Sequence, residues 1–117
     1  MLLAFSVAPS GQPAHLPADS AATAGSVSAD ASVHDAVAAA VKIVRDSGLP
    51  NHTDSMFTTI EGEWDEVFAV VKQATDAVGR FGSRVSLVIK ADIRPGYSGE
   101  LTGKVERLEN AITNVPG

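Results

Sequence analysis

The sequence contains no cysteine, which excludes disulfides, thiol nucleophiles, iron–sulfur clusters and cysteine-ligated zinc together. Any metal would have to be held by His and carboxylate groups. The histidines, His15, His34 and His52, form neither a helical i, i+4 pair nor a repeated ligand spacing, so they read as surface residues and no metal or cofactor is called for. Aromatic residues make up 5% of the chain, so the core has to be built from Val, Ala, Leu and Ile, and each large ring becomes a candidate anchor. Basic residues are also scarce: 9 Lys and Arg stand against 14 Asp and Glu, for a net charge of -5. That balance lacks the electrostatic footprint of a phosphate-backbone binder and excludes nucleic acid as an expected partner. No apolar run approaches the roughly 20 residues that span a bilayer. The apolar opening Met1 to Ala8 has no basic flank, the first Lys or Arg being Lys42. A soluble, cytoplasmic protein without a membrane partner is expected, which makes Asn51-His52-Thr53 a chance glycosylation sequon.

What is present fits one domain over residues 1–117, with 44% hydrophobic residues, close to the average for globular proteins. Leu3, Phe5 and Val7 alternate with Leu2, Ala4, Ser6 and Ala8, the period of a strand; Pro9, Ser10 and Gly11 are expected to end it. Residues 9–31 are rich in Ala, Ser, Pro and Gly with no periodic apolar stripe, and read as a long loop insertion. Ser32 and Asp35 open a helix whose stripe is Val33, Val37, Ala40, Val41 and Val44, stopped by Gly48 and Pro50. Asn51 to Gly62 favours a hairpin of two short strands with Asp54-Ser55 at the turn. A second helix from about Glu63 to Arg80 carries Trp64, Val67, Phe68, Val71, Ala74 and Val78 on one stripe. Arg84 to Ala91 alternates as a fourth strand, and after a loop to Gly99 a last helix bears a narrow seam, Leu101, Val105, Leu108 and Ile112.

The order of strand, helix, two strands, helix and strand is the split β-α-β arrangement of an α+β, ferredoxin-like sandwich: an antiparallel four-stranded sheet with two helices on one face and an extra C-terminal helix. The opposite face, with Ala4, Ala8 and Val88, is then left open, which predicts self-association.

Particular residues add a resemblance. The run Ser32-Val33-His34-Asp35-Ala36-Val37, continuing through Val41-Lys42 to Ser47-Gly48-Leu49, is followed by Ile60-Glu61-Gly62 and Trp64-Asp65-Glu66-Val67. With Val88-Ile89-Lys90, Asp92, Arg94 and the opening Phe5-Ser6-Val7-Ala8-Pro9, it resembles the thiamine-binding protein family, small ferredoxin-like proteins long left uncharacterised. The resemblance covers Met1 to Pro9 and Ser32 to about Leu108. It implies a non-enzymatic binder of thiamine or its hydroxymethylpyrimidine half, in uptake, salvage or sensing, that forms a homodimer or homotetramer through sheet faces. It departs from the family pattern in the long 9–31 segment and at Phe57, where a small residue is common and a ring is expected to reshape the pocket.

An aminopyrimidine needs a few directional donors and acceptors, and a thiazolium cation suits an acidic chain. Ser6, Thr58, Thr59, Glu61 and Ser86 are the expected ligand-binding residues: Thr58 and Glu61 match the family's strand motif, while Thr59 and Ser86 rest on strand position. No catalytic residue is expected, since no Ser stands in a nucleophile elbow and Gly96-Tyr97-Ser98-Gly99 is a turn and not a phosphate cradle. The blander reading makes Glu61 a cap on the second helix and the hydroxyls ordinary strand residues. Two alternatives stay open: an enzyme of thiamine salvage or ester hydrolysis using Glu61 as base, and a structural or interaction protein without a small ligand.

Overall fold

The computed structural model describes residues 1–12 and 29–116. Strand β1 (Leu2–Ser10) leads to helix α1 (Ala29–Asp46), the hairpin of β2 (Asn51–Thr53) and β3 (Thr58–Glu61), helix α2 (Trp64–Val78), strand β4 (Arg84–Asp92) and helix α3 (Glu100–Thr113). The strands form one antiparallel sheet in the order β2-β3-β1-β4. This is the ferredoxin-like α+β arrangement read from the sequence.

The alternation of β1 does what its pattern requires. Leu3, Phe5 and Val7 point into a core shared with Ala36, Ala40 and Val44 of α1, Ile60 of β3, and Val67, Val71, Ala74 and Val78 of α2. Directly opposed residues share a face of an antiparallel pair. The registers Leu2↔Glu61, Ala4↔Thr59, Ser6↔Val88 and Ala8↔Ser86 therefore assign those side chains to the other, outer face.

Several boundaries differ from the sequence expectation. β1 runs through Pro9 to Ser10; β3 stops pairing at Phe5↔Thr58, so among the described residues the far half of β1 has a strand on one side only, where a proline is tolerated. α1 begins at Ala29, ahead of Ser32, alanine being the best helix former and adding a turn at little cost. The remainder of the expected 9–31 loop, residues 13–28, lies outside the described residues. Gly48, with φ of 78°, closes α1 in the left-handed conformation that glycine adopts without strain. Trp64 does not anchor the core: it is 53% exposed and stacks on Phe68 with ring centroids 5.2 Å apart.

α1 and α2 cover the sheet unevenly. Leu87 and Ile89 of β4 lie on the helix side yet remain exposed, so the edge strand protrudes past α2. α3 docks by its first turn and by an ion pair from Lys104 to Asp92 of β4. Leu101 is half-buried, whereas Val105, Leu108 and Ile112 of its seam are exposed.

Candidate functional site

Where β3 ends, β1 continues from Ser6 without a strand on that flank among the described residues. A notch of about 210 Å³ opens there, walled by Phe5, Ser6 and Ala8, by Val37 and Val41 of α1, and by the hairpin segment Thr53 to Thr58. The hairpin turn holds its shape through Asp54. Its Oδ1 accepts the backbone N–H groups of Met56 at 2.8 Å and Phe57 at 2.9 Å, an Asx turn. The N–H of Phe57, and then that of Met56, hold the Asp54 carboxyl below its ordinary range. The turn thus presents a fixed negative charge and the half-buried Phe57 to one opening. The Thr58 and Thr53 hydroxyls meet 3.1 Å apart at its wall.

The expected ligand residues do not all converge. Ser6 and Thr58 line the notch. Thr59, Glu61 and Ser86 lie outside it, on the outer sheet face with the Ser6 side chain, whereas the Thr58 side chain is buried on the helix side. Along β1, the level of Glu61 (opposite Leu2) and that of Ser86 (opposite Ala8) are six residues apart, about 20 Å at strand rise. One small ligand cannot bridge them.

Glu61 has other partners. Its Oε2 accepts the N–H of Glu100 at 2.8 Å and its Oε1 the N–H of Leu101 at 3.3 Å, so it caps α3, 39 residues onward, and not the second helix as the blander reading had it. The start of α2 is served instead by Glu66, whose Oε1 accepts the Glu63 N–H at 3.0 Å. Further ties at α3 are Lys104 to Asp92 at 2.7 Å and Arg107 to Glu100 at 2.5 Å. The Lys104 hydrogen bond holds the Asp92 carboxyl below its ordinary range.

Sequence reasoning placed Asp54 in a turn and Phe57 at a family position without seeing them face one opening. The available signal was the shortness of β3, which stops before matching the length of β1.

The architecture defines a small ferredoxin-like α+β protein with an open notch at the short end of its sheet. Residues 22–109 match the thiamine-binding protein family, and the chain belongs to that family. It is 52% identical over 81 residues to UPF0045 protein Mb1933 of Mycobacterium bovis, covering 68% of this chain and 79% of that one. Among solved structures, it is similar to a domain of unknown function, DUF77, from Bacillus cereus: TM-score 0.67, 29% identity, and coverage of 91% of this chain and 86% of that one. It also shares its fold with a protein of Thermotoga maritima provisionally described as a thiamine biosynthesis/salvage protein: TM-score 0.65, 20% identity, and coverage of 92% and 96%.

Proposed function

We propose that the chain binds thiamine or its hydroxymethylpyrimidine half without chemical conversion, and that the aminopyrimidine occupies the notch beside Ser6. The carrying observation is the flank of β1 at the notch wall, which no strand among the described residues pairs. A strand edge offers amide donors and carbonyl acceptors at fixed spacing, and an aminopyrimidine edge carries a donor beside an acceptor. Phe57 supplies a ring face for stacking, and Asp54 faces the side where a thiazolium cation would emerge. The family membership and the Thermotoga maritima description support a thiamine-related role.

Glu61 has little to offer as a catalytic base on this reading, because both its oxygens already accept backbone N–H groups. The outer face, with small Ala4 and Ala8 and exposed Val88, suits a second copy, in keeping with a homodimer or homotetramer.

Titration calorimetry with thiamine, hydroxymethylpyrimidine and the thiazole half tests the reading. Thiamine and the pyrimidine should give saturable heats, and silence at millimolar pyrimidine would overturn it. Asp54→Asn keeps the turn's side-chain acceptor; it should weaken thiamine by up to about fivefold, the worth of an exposed charge pair, and leave the neutral pyrimidine unchanged.

A further inference from the structure

The notch beside Ser6 carries charge of one sign. Among the described residues that line it, Asp54 is the one charged side chain, and none is Lys or Arg. Residues 1–41 contain no Lys or Arg at all, so the chain leading from β1 into α1 brings no fixed positive charge to it. Lys42 is turned about 100° from Val41 around α1, and its Nζ donates to Asp46 at 2.6 Å. His52 opposes Thr59 on the outer face of the sheet. On the stripe of α1 that carries Val37, His34 stands one turn before it and is exposed; an imidazole is not a fixed cation. The positive end of α1, at Ala29, is about 12 Å from Val37 along the axis, and its field fades within a turn. Asp54, in contrast, is pinned by the N–H groups of Met56 and Phe57, which also hold its carboxyl below the ordinary range.

The notch is also small. At about 210 Å³ it falls below the range of pockets that enclose a drug-sized ligand, so a ligand of two rings seats one of them and leaves the other, with its hydroxyethyl arm, at the rim where Asp54 stands. We infer, on the reading of the notch as the thiamine site, that it takes the unphosphorylated ligand and rejects its phosphate esters, and that Asp54 is the residue that sets this specificity. A phosphate ester adds about 1.5 to 2 negative charges at neutral pH, on the arm that emerges from the notch. Phosphate sites present Lys, Arg or a cluster of free N–H groups. Here the ester meets a carboxylate, and the two turn amides that could have received it, those of Met56 and Phe57, already donate to that carboxylate. The same charge attracts a bare thiazolium cation, so one side chain favours the free form and disfavours the ester.

Calorimetric titrations of thiamine and of thiamine monophosphate at low salt provide the test. Thiamine should bind about tenfold more tightly to the unmodified protein, since an exposed charge pair is worth up to about fivefold and the ester carries nearly two charges. Asp54→Asn, which keeps the acceptor of the turn, should narrow that preference to about twofold. Ser55→Lys places a cation beside Asp54 at an exposed position of the notch lining, outside the Asp54 hydrogen bonds, and should narrow it as well. Equal affinity for the two ligands, or tighter binding of the ester, would overturn the inference and leave the notch reading standing. A tenfold preference that survives both substitutions would overturn the role given to Asp54. Absence of heat from thiamine and from hydroxymethylpyrimidine alike would overturn the notch reading, and the inference with it.

Discussion

Glu61 receives the first two amides of α3 in a site where the residue is 8% exposed, so removing its carboxylate leaves buried N–H donors without an acceptor. Glu61→Ala should lower stability by about 1.5 to 3 kcal/mol, the range for hydrogen bonds to a charged group, as read by urea denaturation. Glu61→Gln, which keeps one acceptor oxygen, should lose less, and equal losses would contradict the capping role. The residue stands out in the sequence, but its role does not: its partners lie 39 and 40 positions away, and only the fold brings the end of β3 under the start of α3. Trp64 teaches the converse. Helical spacing placed it on the apolar stripe, but it is the first residue of α2 and is left exposed there, so stacking on Phe68 takes the place of burial.

α3 is held by its first turn and by the Lys104–Asp92 pair, while the rest of its seam faces outward. The Asp92 carboxyl, held below its ordinary range by Lys104, binds its proton less readily docked than free. Its contribution is therefore present above the ordinary carboxylate range, near pH 4, and is lost as pH falls through the lowered value. Amides of α3 should exchange hydrogen faster, relative to those of α2, at pH 3 than at pH 5. Lys104→Met should reduce that contrast, and a pH-independent ratio in the unmodified protein would contradict the assignment. Element identities were legible because periods of two and 3.6 residues are imposed by burial on one face, as in Leu3, Phe5 and Val7 or Val67, Val71, Ala74 and Val78. The ends were less legible because they depend on neighbours: β1 tolerates Pro9 only because β3 has already stopped.

At the scale of the molecule, the uneven lengths of β1 and β3 and the overhang of β4 are two consequences of one layout. The short β3 leaves the notch beside Ser6, and the edge position of β4 leaves Leu87 and Ile89 past α2. The fold could be read from the order of elements, and the family from Ile60-Glu61-Gly62 with its neighbours. The notch could not, because it is made by where a strand ends, and because the expected residues divide between two faces of the sheet. The central claim, that this notch is the ligand site, is tested most directly by mapping backbone amide NMR shifts during titration with hydroxymethylpyrimidine. Saturable shifts should concentrate at Ser6 to Ala8 and Asp54 to Thr58, whereas shifts concentrated at the outer-face residues His52, Thr59 and Lys90, or none at saturating ligand, would contradict it.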